Sequence, residues 1–170
     1  MPVPYEDFVA ARLPAVLRYA TALTGSPQLA EDVVQEVLVR VQARWRRIGA
    51  VERPEAYVRR MVLNEYLGWR RRPARRDLAV PADELERLSP PLADPTAAHD
   101  DRDQLRCALA RLPRRQRAVL VLRFYEELTD EEIAADLGCS TGTVRSHASR
   151  AVATLRRTLR TEETTWTSTS

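Results

Sequence analysis

The sequence predicts an all-α protein built as two small helical domains joined by a flexible linker, the C-terminal one a helix-turn-helix. Three observations carry this. Apolar residues recur at three- and four-residue intervals on both sides of residues 73–101. The stretch between holds five prolines, at 73, 81, 90, 91 and 95, and no sustained helical period. Finally, Thr129 to Arg157 reads as a helix, a tight turn and a second helix loaded with arginine. The expected division is therefore 1–72, a linker at 73–101, 102–160, and a disordered tail at 161–170.

Taken in order, Phe8, Val9, Leu13, Val16, Leu17, Ala20 and Leu23 form the apolar stripe of a first helix that ends at Gly25, with Pro14 inside it. Ser26 caps a second helix that has Pro27 at its first position. Leu29, Ala30, Val33, Val34, Val37, Leu38, Val41 and Trp45 line its buried side as far as about Ile48. On its other side Asp32, Gln35, Glu36 and Val39 share one stripe. Such a stripe reads either as a solvated face, the commoner case, or as a docking surface for a partner helix. Pro54 opens a third helix running to about Arg72, in which Tyr57, Tyr66 and Trp69 alternate with Arg59, Arg60, Asn64, Arg70, Arg71 and Arg72. That mixture can stack unpaired bases and hold their phosphates. Equally, the aromatics could pack a three-helix core and leave the arginines solvated.

Beyond the linker the helical period returns at Arg102 through Leu105, Leu109 and Leu112, and Pro113 starts a new helix containing Val119, Leu120, Leu122 and Phe124. Thr129 then serves as an N-cap, with Glu132 completing a capping box. Ile133, Ala134 and Leu137 face inward, and Gly138 ends the helix in the left-handed conformation. The turn is Cys139 to Gly142, and Thr143 caps or begins the last helix. Val144, Ala148, Ala151, Val152 and Leu155 form its inner stripe; Arg145, Ser146, His147, Ser149 and Arg150 face outward, and no acid occurs between Ser140 and Arg160. An outer face of donors without acids suits the major groove and its phosphates. In the tail, Trp166 is either idle or a weak contact.

Composition narrows the function. A chain of 170 residues with 44% hydrophobic and 30% charged side chains can bury one sizeable core or two small ones. No apolar run approaches a membrane span of roughly 18 residues, and the N-terminus lacks the pattern of a signal peptide, so no membrane insertion and a cytoplasmic location are expected. Cys107 and Cys139 have no partnering spacing, which supports neither a disulfide framework nor a zinc site. Nothing resembles a nucleophile with its base, a metal cluster or a phosphate loop, since His99 lies in the linker and His147 on the outer helix face. No enzyme, no cofactor and no metal are expected. All 27 basic residues are arginine, against a net charge of +3 that conceals segregation. Residues 1–39 carry −3, residues 40–76 carry +9, residues 77–104 carry −6 and residues 105–160 carry +5. Two basic blocks suggest two contacts with nucleic acid, separated by an acidic segment that repels it.

With both halves read, the chain resembles a bacterial sigma factor of the extracytoplasmic-function group, the small members of the sigma-70 family that have only sigma domains 2 and 4. The resemblance covers about residues 5–160 and rests on AEDVVQEVLVRVQARW at Ala30 to Trp45, RPEAYVRRMVLNEYLGWRRR at Arg53 to Arg72, and LPRRQRAVLVLRFYEELTDEEIAADLGCSTGTVRSHASRA at Leu112 to Ala151. It implies that Asp32, Gln35, Glu36 and Val39 dock on the clamp helices of the polymerase β′ subunit, in place of a solvated face. It implies that Tyr57 to Arg72 melts and captures the −10 element through Tyr57, Arg60, Asn64, Trp69 and Arg71, with Asn64 beside the pocket for a flipped base. The linker would thread the polymerase channels. Thr143, Arg145, Ser146, His147 and Arg150 would read the −35 element as duplex. Core polymerase (β′ clamp helices and β flap) and promoter DNA are the implied partners, with an anti-sigma protein a further family expectation. Three positions depart from the commoner family residues: His147 makes any contact there depend on protonation, and Gly68 and Trp69 leave the −10 preference open. The alternatives are a free-standing dimeric helix-turn-helix regulator, or a helical adaptor with an incidental basic surface.

Overall fold

The computed structural model describes residues 3–68 and 97–167, and all regular structure among them is helical. Helix α1 spans Tyr5–Thr24, with Glu6 and Asp7 in its first turn, where the helix dipole favours negative charge. It runs through Pro14 and stops at Gly25, whose φ of 73° lets its N–H reach the Thr21 carbonyl at 2.8 Å. Helix α2, Pro27–Ala43, starts as expected: the Ser26 side chain accepts from the Leu29 N–H at 3.3 Å, with Pro27 in the first turn.

The second helix was expected to continue to about Ile48, but it breaks at Arg44 (φ −118°), and a short α3 covers Trp45–Ile48. The cause is tertiary. The Trp45 indole donates to the Val3 carbonyl at 2.9 Å and packs against Phe8 and Tyr5 with ring centroids 4.8 and 5.6 Å away. Gly49 leaves it room, because a Cβ there would lie 2.9 Å from Trp45 Cε2. Helix α4, Pro54–Gly68, buries Val58, Val62, Leu63 and Tyr66 against α1 and α2. The expected remainder of this helix, 69–72, and most of the linker lie outside the described residues.

Helix α5, Ala97–Ala110, begins inside the stretch read as linker, so helical structure resumes ahead of Arg102. Helix α6, Arg114–Leu120, follows Pro113 and passes into a π-helical turn at Val121–Tyr125. The wider turn carries Phe124 outward, leaving it 69% exposed although the sequence pattern grouped it with Val119 and Leu122. Glu127 then takes a positive φ of 56°, and the Leu128 N–H returns to the Leu122 carbonyl at 3.0 Å.

Helix α7 is Asp130–Leu137, and its capping box is formed as expected: the Glu132 N–H donates to Thr129 Oγ1 and the Thr129 N–H donates to Glu132 Oε2 at 2.8 Å. Helix α8 is Thr141–Thr167. Its cap is Ser140 instead of Thr143, since Ser140 Oγ accepts from the Thr143 N–H at 3.1 Å. The tail expected to be disordered from 161 is helical to Thr167, with the side chains of 162–167 not described. No Gly or Pro follows Gly142, so the helix, once nucleated, extends at little cost, and the Thr161 hydroxyl bonds the Arg157 carbonyl at 2.9 Å.

The main core is continuous across the two halves. Val16, Tyr19 and Leu23 of α1, Val37 and Val41 of α2, and Val58, Val62 and Leu63 of α4 join Val119, Leu122, Ile133, Val144 and Ala148 in one cluster. A satellite cluster under α5 comprises Leu112, Leu120 and Ala151, flanked by Leu109, Val152 and Leu155. Burying both halves together gives each a larger apolar interior than 60 to 70 residues supply alone.

Candidate nucleic-acid interface

The turn between α7 and α8 sets the angle of the recognition helix. Gly138, at φ 63°, lets its N–H close on the Ala134 carbonyl, and Ile133, Ala134, Leu137, Val144 and Ala148 are buried between the helices. This leaves Thr143, Arg145, Ser146 and Arg150 exposed on the first turns of α8, the part of a recognition helix that meets base edges. Arg145 is not loose: its Nε donates to Asp130 Oδ2 at 3.1 Å, and Asp130 is also paired with Arg123. Those donors, Arg123 first, hold the Asp130 carboxyl below the usual carboxylate range. His147 differs from the outward reading given to it. It is half-buried, its Nδ1 is enclosed without a hydrogen-bonding partner, and desolvation, then Arg115 and Arg150, pull its pKa below the ordinary imidazole value. At neutral pH it is an uncharged side chain.

On α4 the aromatic residues divide. Tyr66 is buried, with its ring 5.2 Å from the Arg114 guanidinium carbon, whereas Tyr57 is 42% exposed. Tyr57, Arg60 and Asn64 lie at i, i+3 and i+7 and all reach solvent, so one face of α4 presents them together. Trp69 and Arg71 lie outside the described residues. On α2, Asp32 and Gln35 are exposed, Glu36 is half-buried, and Val39 is 68% exposed while Val37 and Val41 beside it are fully buried.

Several arginines that the charge blocks assigned to nucleic acid serve the fold. Arg40 donates to the Glu36 carbonyl at 3.2 Å and pairs with Glu65, joining α2 to α4. Arg114 donates to the Tyr66 carbonyl at 2.7 Å. Arg117 is buried, and its Nη1 donates to the carbonyls of Leu23 at 3.1 Å and Thr24 at 2.9 Å. Its Nη2 donates to the carbonyls of Ala110 and of Leu112, the latter at 3.3 Å. One guanidinium therefore satisfies the orphan carbonyls at the C-terminal ends of α1 and α5, where the dipoles also favour a cation. Nothing in the RRQR spelling distinguished Arg117 from its neighbours; only its helical register with Ala118 and Leu120 hinted at an inward position. Among the described residues no cluster of His, Cys, Asp and Glu could hold a metal ion, and no helix is long and apolar enough to cross a membrane.

A helix-turn-helix with an acid-free outer face, joined to a helical half that exposes an aromatic, a cation and an amide on one helix, has the surfaces of a DNA-binding protein. Residues 8–76 match the family described as Sigma-70 region 2, and residues 102–155 match Sigma-70, region 4. The chain is 40% identical over 155 residues to the RNA polymerase sigma-E factor of Streptomyces coelicolor, covering 91% of this chain and 85% of that protein. It is 36% identical over 143 residues to the ECF RNA polymerase sigma factor SigL of Mycobacterium tuberculosis, covering 84% and 81%. Among solved structures it resembles the sigma factor RpoE of Bartonella quintana, in complex with the anti-sigma factor NepR, with a TM-score of 0.64, 26% identity and coverage of 92% and 96%. The chain belongs to the extracytoplasmic-function group of the sigma-70 family, and it is an RNA polymerase sigma factor.

Proposed function

We propose that this sigma factor binds core polymerase through the α2 stripe, opens the −10 element with α4, and anchors on duplex −35 DNA with α8, in the cytoplasm and without itself making or breaking a bond. The observation that supports the reading most directly is the exposed Val39 between Asp32, Gln35 and Glu36. At 68% exposed, Val39 offers an aliphatic contact on the outer face of α2, framed by polar and acidic side chains that could fix the orientation of a partner helix. Tyr57, Arg60 and Asn64 supply a stacking ring, a phosphate donor and an amide for a flipped base, and Trp69 and Arg71 are assigned to the same contact by resemblance. Thr143, Arg145, Ser146 and Arg150 supply the major-groove donors, and His147 joins them as a neutral side chain. A free-standing dimeric regulator has no use for a sigma region 2 and is not favoured. Because the Bartonella quintana relative was solved with an anti-sigma factor, a protein of that class is included among the proposed partners.

The deciding experiment measures run-off transcription and core binding together. Transcription from selected promoters should require core enzyme, and Asp32→Ala with Glu36→Ala in the full chain should weaken core binding at least tenfold while the far-UV circular dichroism and thermal midpoint stay those of wild type. Unchanged core binding would return the stripe to solvent.

A further inference from the structure

Arg145 is held through one atom of its guanidinium. Its Nε donates to Asp130 Oδ2 at 3.1 Å, while the other oxygen of the same carboxylate, Oδ1, accepts from Arg123 Nη2. Three elements meet there: Arg123 lies in the π-helical turn, Asp130 is the first residue of α7, and Arg145 stands near the start of α8. Because the capping box of Thr129 and Glu132 fixes the start of α7, the acceptor sits on a rigid frame. An ion pair whose arginine side chain is 65% exposed contributes little to stability. The carboxylate also brings negative charge beside a helix that carries no acid from Ser140 to Arg160, where it repels DNA phosphates. A group that adds little to the fold and opposes phosphate binding is accounted for by what it does to Arg145.

A guanidinium anchored through Nε keeps its terminal nitrogens, Nη1 and Nη2, as a parallel pair of donors. In the major groove O6 and N7 of guanine accept such a pair, whereas adenine sets a donor beside its N7 and neither pyrimidine offers two acceptors. Resting on the −35 reading of α8 above, we infer that Asp130 is a specificity-determining positioning residue, which orients the Arg145 fork for guanine before DNA arrives and touches no base itself. A free fork swings toward a phosphate or another base edge when guanine is missing. An anchored fork is left with unpaired donors, and that difference is the discrimination. Anchoring also spares the long side chain from being ordered at the moment of binding. Arg123 completes the device by holding the second oxygen and offsetting the repulsion of phosphates. With Arg123 foremost and Arg145 adding to it, the carboxyl is kept below the usual carboxylate range, so it remains an acceptor at neutral pH.

The test reconstitutes holoenzyme from core polymerase and the full chain. Its affinity is measured for promoters selected from a pool randomised at −35 and for every single-base variant of the selected sequence. Wild type should prefer guanine by about tenfold or more at the base pair whose preference Arg145→Ala relaxes. Asp130→Ala should cut that preference to about threefold or less and leave the other −35 preferences as in wild type. Its affinity for mismatched promoters should be equal or higher, because an acid has been removed. Asp130→Asn keeps an acceptor oxygen in the same place and should recover part of the preference. Combining Asp130→Ala with Arg145→Ala should lose no more preference than Arg145→Ala alone. The inference is overturned by an unchanged preference in Asp130→Ala, by an equal loss on every sequence, or by a preferred base other than guanine. A loss at a neighbouring base pair instead would make the carboxylate a base contact and overturn the positioning role. A wild type without preference at any −35 base pair would overturn the −35 reading itself and the inference with it. If the thermal midpoint shows that Asp130→Ala does not fold, Asp130→Asn decides alone: its preference must fall between those of wild type and Arg145→Ala.

Discussion

Arg145 and His147 stand two positions apart on α8 and face different environments. Arg145 reaches solvent with its fork steadied by Asp130, and replacing it with alanine should cost roughly 1 to 3 kcal/mol at one −35 base pair and relax the preference there. Affinities of the holoenzyme for single-base promoter variants check this; an equal loss on every sequence would identify a phosphate contact. His147 is half-enclosed beside Arg115 and Arg150, and its folded-state pKa lies below the ordinary 6.5. The unfolded chain therefore takes up that proton more readily, and the stability held by this site is complete above pH 6.5 and lost as pH falls toward the folded value. His147→Gln should flatten the fall of the thermal midpoint between about pH 6.5 and 5. A midpoint curve identical to wild type would mean the imidazole is solvated in both states. Periodicity placed His147 on the outer face because it lies between Ser146, which is exposed, and Ala148, which is buried. A residue on the boundary of a stripe is decided by its neighbours in space, here Arg115, which spacing does not reveal.

At the scale of elements, the caps were the most legible feature. Ser26 with Pro27, Gly25, Thr129 with Glu132, and Gly138 are local chemistry, and each terminates or starts its helix as the sequence implied. Thr129→Ala should lower stability by roughly 1 kcal/mol, seen as a lower denaturation midpoint with unchanged slope. The two left-handed glycines should separate more sharply. Gly138 has open space where a Cβ would go, so Gly138→Ala should cost only the backbone strain, roughly 1 kcal/mol. Gly25→Ala adds a crowded contact with Ala110 and should cost distinctly more; equal losses would show that the contact yields. The break at Arg44 and the π turn at Val121–Tyr125 were illegible for a common reason. The first follows from a contact between distant residues, Trp45 with Val3, and the second is closed by a bond from the Leu128 N–H to the Leu122 carbonyl, while local helix propensity favours continuation in both.

For the whole molecule, a core that runs through both halves predicts one cooperative unfolding transition in calorimetry, with matching calorimetric and van't Hoff enthalpies. Two separated transitions would mean that the halves fold as independent units. The sequence showed two helical regions and the surfaces they expose, including Val39 and the α8 face. It did not show that the regions close on one another. Glu126 and Asp136 resemble ordinary solvated acids in the chain, and Arg117 resembles one more cation of a basic run, because their partners Arg59, Arg60 and the Leu23 and Thr24 carbonyls lie far off in sequence. Segregated charge was therefore read as two nucleic-acid contacts when part of it is the complementary charge of an internal seam.

The Arg117 bonds span 93 and 94 residues. On a translating ribosome, the segments of α1 and α4 emerge while the guanidinium that will cap α1 has not yet been made. At about 5 to 20 residues per second, the interval between Thr24 and Arg117 lasts roughly 5 to 20 s. During it the C-terminal carbonyls of α1 have only water, and the cations of α4 have no acids from the second half. Each newly synthesised molecule thus passes once through a stage in which its N-terminal surfaces are uncovered, and completion of the chain ends that stage.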